Sequence, residues 1–340
     1  MDRFSAEEKK QSCKKGLGNK KKEKVIRMDV DLHTKLKHFI ISYYFSSGWR
    51  QVLRGKKIYS LYYMDLFAGD GKCRCERINE EIEQYLPENL KDREWDPPFF
   101  KLMEIAKEAN FSNLKCFFND TNRNKIDTLE ERIKEKGFSD FVGDYYDKDA
   151  NIICDKLLEK IGRPNRPSIF LLDPQKHSQL KFSTIEKIAN FTDKNTGRKP
   201  ELIINFMFYS ILMAFKRGLP EKDVNDINAF LGTKFERREL LELKENSSGK
   251  TYKKLLDVFI KNLEELGYLC NYQLVASTKT NAPIYYLIFA TYDQTIFQWY
   301  KRVNSYVEKL KEDWIKKNYI ILTMSEMRKK GQKFLSEWNQ

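Results

Sequence analysis

The chain has 340 residues, 41% hydrophobic and 14% aromatic, enough to bury a sizeable core as one large domain or two small ones, so it is not a disordered protein. Its formal net charge of +13 favours an acidic partner such as nucleic acid, although the excess is concentrated in one arm. No apolar run approaches the ~20 residues needed to cross a bilayer and no apolar stretch follows the N-terminal lysines, so we expect a cytoplasmic protein that does not enter the membrane.

Residues 1–28 form the basic arm, with the run KKQSCKKGLGNKKKEK from Lys9 to Lys24. An arm of this composition is expected to be flexible, and any contact with nucleic acid should go to phosphate without sequence preference. The segment DLHTKLKHFIISYYFSSGW then predicts a helix, because Leu32, Leu36, Phe39, Ile40 and Tyr43 share one face. IYSLYYMDLF predicts a first strand, and the turn after it carries Ala68, Gly69 and Gly71, with Asp65 just before it. LKCFFND predicts a second strand ending at Asn119 and Asp120, followed by the polar helix NRNKIDTLEERIKEKG. SDFVGD predicts a short third strand closing on Gly143 and Asp144, PSIFLLDP a fourth and ELIINFMF a fifth. GYLCNYQLVAS and APIYYLIFATY, joined by TKTN, predict an antiparallel hairpin.

Continuous apolar strands separated by helical segments predict an α/β fold: a Rossmann-like, mostly parallel sheet with the hairpin at one edge and helices on both faces. The core is expected over 29–212, a helical insertion over 213–265, the edge hairpin and a C-terminal helix over 266–320, and a tail over 321–340. In such sheets ligands bind at the carboxyl ends of the strands. Asp65, Asp120, Asp144 and Asp173 stand at four inferred strand ends, so their carboxylates are expected to meet a ligand rich in hydrogen-bond donors. A dinucleotide fingerprint fails because Arg74 stands where its third glycine belongs, and no P-loop follows the turn. S-adenosylmethionine, which has no phosphate and offers an ammonium, a ribose diol and an adenine amine, suits the carboxylates.

The succession HTKLKH, MDLFAGDG, FFND, FLLDP, INFMF, AFLGT and YYLIFAT, across roughly residues 31–307, resembles the three-Cys-motif partner proteins, a bacterial and archaeal family related to class I S-adenosylmethionine-dependent methyltransferases. The resemblance implies a methyltransferase-like fold, S-adenosylmethionine as cofactor, and a partner protein, encoded nearby, that carries the three-cysteine motif. It implies that Asp65 lies near the methionine ammonium, that Phe67, Ala68, Gly69 and Gly71 bring backbone close to the cofactor, that Asp120 accepts the ribose hydroxyls and that Asp144 reaches the adenine amine. Asp173 and Pro174 would form the transfer site. Gln175 and Lys176 replace the Phe-Gly that follows Asp-Pro in the family, so the transfer loop is altered, and the segment 72–95 is long and charged, either a lid or an exposed insertion. Two readings follow: a methyltransferase acting on nucleic acid or on its partner, or an accessory binding protein that keeps the fold without turnover.

Other features read as structural. DPPF, from Asp96 to Phe99, matches a base-amine methylation motif, but a helical segment follows it, so Asp96 is read as an N-cap with Pro97 opening the helix. His177 is read as polar surface, His33 and His38 as packing or surface residues of the first helix, and Trp299, Tyr300 and Tyr306 as packing residues of a C-terminal helix. Cys73 and Cys75, with no second pair and only three histidines in the chain, predict no metal site.

Overall fold

The computed structural model describes residues 28–29, 32–75, 92–245, 250–276 and 283–316. Residues 1–27 of the basic arm, most of the charged segment after the glycine turn, and the C-terminal tail lie outside the described residues; Met28, the last residue of the expected arm, is in a short strand paired in parallel with Cys73.

Seven strands build the main sheet: β1 (Leu61–Asp65), β2 (Leu114–Asn119), β3 (Val142–Tyr146), β4 (Ser168–Leu172), β5 (Glu201–Phe206), β6 (Leu269–Ala276) and β7 (Pro283–Thr291). Their order is β3-β2-β1-β4-β5-β7-β6. β1 to β5 pair in parallel, and β7 runs antiparallel to both β5 and β6, which places the hairpin at one edge. Every residue of β4 and β5 is buried, which is why these strands are written as unbroken apolar runs. Side chains alternate between two cores: Met64, Phe170 and Ile204 face one, Tyr63, Ile169 and Ile203 the other.

Helix α1 (Leu32–Tyr44) continues through a π-helical turn at Phe45–Trp49 into a short turn at Arg50–Arg54. With α2 (Pro98–Glu108) it covers the Tyr63 face, joined by residues of α3 (Arg123–Glu135). The other face carries α4 (Ala150–Ile161), α5 (Phe182–Asn190), α6 (Phe208–Lys216), which crosses the expected start of the insertion, and the helices of the insertion itself, α7 (Glu221–Leu231), α8 (Arg237–Glu245) and α9 (Lys250–Glu265). The insertion is not a separate body. Phe230 of α7 and Phe259 of α9 stack at 5.3 Å and both meet Phe206 of β5, at 5.2 and 5.1 Å, so its apolar faces share the core of the sheet. The final helix, α10 (Gln294–Lys316), buries Tyr300 and stacks Tyr306 on Tyr43 at 4.3 Å. No helix among the described residues is long and apolar enough to cross a membrane.

Two sequence expectations are corrected here. The third strand does not close on Gly143 and Asp144: it runs on to Tyr146. Gly143 is required by packing, since a Cβ there would lie 2.3 Å from the ring of Phe117, and the register between β2 and β3 slips at this point. The helix after the DPPF stretch begins at Pro98 with Pro97 as its N-cap, one residue later than expected, because two consecutive prolines fix the entry. Asp96 instead pairs with Lys136 at 2.8 Å.

Candidate functional site

A cavity of about 610 Å³ opens at the carboxyl ends of β1, β2, β4 and β5 and is closed on one side by α1. That is within the usual range for a pocket holding a small organic ligand. It gathers Asp65, Phe67, Ala68, Gly69, Gly71, Asp120, Asp173 and Pro174, eight of the nine site residues expected from the sequence. Asp144 does not line it.

The glycine turn forms its floor. Gly69 and Gly71 have φ of 68° and 77°, the left-handed region that favours glycine. A Cβ on Gly71 would also lie 2.7 Å from Leu129 of α3, so the turn is pressed against that helix. Arg132 of α3 holds the turn from outside by donating to the Asp70 carbonyl at 3.0 Å. Asp65, 3% exposed, accepts the Phe67 amide at 3.1 Å and the Tyr63 hydroxyl at 3.2 Å. Burial pushes its carboxyl up to about 7, and the Asp173 carboxylate adds to the rise. An arriving cation would reverse both effects.

Asp120 follows β2 and is set by α3: it accepts the Asn122 amide at 2.9 Å and pairs with Lys125 at 3.5 Å. The preceding Asn119 fixes the rim by donating to the carbonyls of Leu66 and Lys148. Asp144, by contrast, lies within β3 and pairs with Lys160 at 3.5 Å, near the carboxyl end of α4 and therefore toward the other end of the sheet. The acid that reaches the cavity from the β3–α4 connection is Asp149, which caps α4 through the Asn151 amide at 2.8 Å.

Asp173, just beyond β4, is the most tightly held of these acids. The Lys37 ammonium donates to both its oxygens at 2.6 Å, and the Asn205 side-chain amide donates to Oδ1 at 2.7 Å. Burial alone would raise its pKa, but the Lys37 charge and these bonds outweigh burial and hold it below the ordinary carboxylate value. Asn205 is 1% exposed, and its Oδ1 has no hydrogen-bond partner. Beside the pair, His38 accepts the Trp95 indole N–H on Nδ1 at 3.0 Å. Because indole is only a donor, Nδ1 carries no proton, and burial holds the ring neutral with a pKa of about 3. His38 can therefore donate through Nε2 but cannot act as a base at neutral pH.

Lys37, Asn205 and Asp149 were not singled out from the sequence as site residues. For Lys37 the signal was HTKLKH, read only as the pattern of a packed helix. His177 is also corrected: it is 4% exposed, with Nδ1 2.8 Å from the Ser210 hydroxyl, and so is not surface. Among the described residues no group of three or more His, Cys, Asp or Glu is arranged to hold a metal.

No family model and no curated protein matches the sequence. Among solved structures, the chain is similar to protein LPL1258 of Legionella pneumophila, of family model DUF519, at 9% identity over 82% of this chain and 91% of that one, with a TM-score of 0.49. It is also similar to the O-methyltransferase TomG of Streptomyces achromogenes, in complex with S-adenosylmethionine, at 8% identity over 79% and 93% of the two chains and a TM-score of 0.34. The methyltransferase domain of bacterial CtHen1-C gives 9% identity, 71% and 93% coverage, and a TM-score of 0.32. Likenesses this distant carry no argument by themselves. The fold rests on the strand order and directions, five parallel strands with an antiparallel edge hairpin and helices on both faces: a Rossmann-like, methyltransferase-type sheet.

Proposed function

We propose that the chain is a three-Cys-motif partner protein that binds S-adenosylmethionine and transfers its methyl group together with a partner protein, to an acceptor on nucleic acid or on that partner. The observation that carries this reading is the cavity that brings the glycine turn, Asp65, Asp120 and Asp173 to one rim of the sheet. The residues present fit the cofactor. Asp65, whose carboxyl burial has raised to about 7, gains most from an ammonium nearby. Asp120 offers a preset carboxylate to a diol, and Asp149 takes the role expected of Asp144 opposite an adenine amine. Gly69 and Gly71 let backbone approach the ligand.

When bound, the cofactor supplies an electrophilic methyl group on a sulfonium. The protein's part is alignment and exclusion of water. Asp173 and Pro174 stand where an acceptor would be held, and neutral His38 can offer it a hydrogen bond.

One observation favours the accessory reading: Lys37 already occupies both oxygens of Asp173, so the carboxylate expected to face an acceptor is engaged. The full chain incubated with methyl-labelled S-adenosylmethionine and, separately, nucleic acid or protein extract from its own cells decides between the two. Label transferred to either and lost in Asp173→Ala supports turnover. Cofactor binding without transfer to any fraction supports the accessory role.

A further inference from the structure

Lys37 is 7% exposed at its side chain, lies on α1, and meets a carboxylate from the far side of the cavity with two bonds of 2.6 Å. A buried pair of this kind is weak evidence of stability, because desolvating the two ions offsets most of their attraction. The pair lines a cavity sized for a ligand, and beside it stands a second acceptor, Asn205 Oδ1, buried and with no partner. Lys72 and Lys125 also line the cavity, but they are more exposed, at 41% and 19%. Lys37 is thus the cation whose field is least screened by water.

We propose that Lys37 is a latch with two carboxylate partners: Asp173 in the free protein, and the carboxylate of the ligand's amino-acid end in the loaded protein. The inference rests on the cofactor reading above. Transfer of the ammonium exchanges one carboxylate for another, so Lys37 is never left bare. The ligand brings cations of its own, which compensate Asp173. Loading then frees Asp173 and exposes Asn205 Oδ1, two acceptors suited to an N–H-bearing group on the methyl acceptor. The altered loop after Asp173 therefore does not by itself abolish transfer: the carboxylate is masked until the cofactor is in place, which orders binding with cofactor first.

The test is calorimetric titration of the full chain with S-adenosylmethionine and with decarboxylated S-adenosylmethionine, which keeps the amine and the sulfonium and lacks the carboxylate. Wild type should bind the former severalfold more tightly, less than the roughly tenfold to hundredfold of an unopposed hydrogen bond between charged groups, because Lys37 gives up Asp173 to make it. Lys37→Met should lose that preference while still binding the analogue, which shows the variant to be folded. Asp173→Asn, which removes the competing partner, should strengthen the preference, and it decides the matter should Lys37→Met fail to fold. Absence of a preference in wild type, or a preference unchanged in Lys37→Met or weakened in Asp173→Asn, overturns the latch and leaves the cofactor reading standing. Binding of neither ligand by folded wild-type protein overturns both.

Discussion

Asp65 gives the most quantitative expectation. It is buried at the centre of the sheet's rim, and burial raises its carboxyl from an ordinary 3.8 to about 7. The folded chain therefore keeps a proton that the unfolded chain releases, so stability falls as pH rises from about 4 to about 7. Three pH units at ~1.4 kcal/mol each give a full span of roughly 4 kcal/mol. Asp65→Asn keeps the shape and an oxygen able to accept the Phe67 amide, but it has no charge to bury. Without ligand, the variant should match wild type near pH 4 and exceed it by up to about 4 kcal/mol at pH 8. Glu201, also pushed by burial to about 7, titrates in both proteins and cancels in the comparison. The assay is urea unfolding at closely spaced pH values, read as the difference between variant and wild type. A difference that stays flat, or that grows toward acid, refutes the account of Asp65 as a carboxyl held at a cost for an arriving cation.

Gly143→Ala should destabilise by about 1–3 kcal/mol through overpacking on Phe117, and Phe117→Leu in the same chain should recover part of that loss. Additive effects in urea unfolding would contradict the close approach. Asp144→Ala should leave S-adenosylhomocysteine affinity within about twofold of wild type, whereas Asp120→Ala should weaken it roughly tenfold or more, by calorimetry. The reverse order would restore the sequence-based assignment of Asp144. Gly71→Ala, forced into a left-handed φ against Leu129, should lower the midpoint of thermal unfolding and weaken ligand binding together. A Gly71→Ala variant that melts and binds like wild type would show the turn to be tolerant.

The sheet was legible because its parallel strands are buried on both faces. IFLL and LIIN cannot be surface segments, and the acids that follow such runs fall on one rim by construction. Asp65, Asp120 and Asp173 were expected at the rim on this ground, and all three line the cavity there. Asp144 was misplaced because glycine has two readings, strand end and close approach, and only the position of Phe117 decides between them. Lys37 was missed because a lysine on an amphipathic helix ordinarily faces water. What brings it inward is Asp173, 136 residues away, a pairing that no local pattern reports. His177 was taken for surface for the same reason, since Ser210 of α6 covers it from a distant part of the chain.

The central claim is that this rim of the sheet holds S-adenosylmethionine. Its most direct test is a titration of the full chain with that cofactor by calorimetry, with Asp120→Ala as a control whose substitution lies outside the packed core. The account predicts saturable one-to-one binding that the variant loses or weakens at least tenfold. Folded protein that gives no saturable binding, or a variant that binds as wild type does, would contradict it.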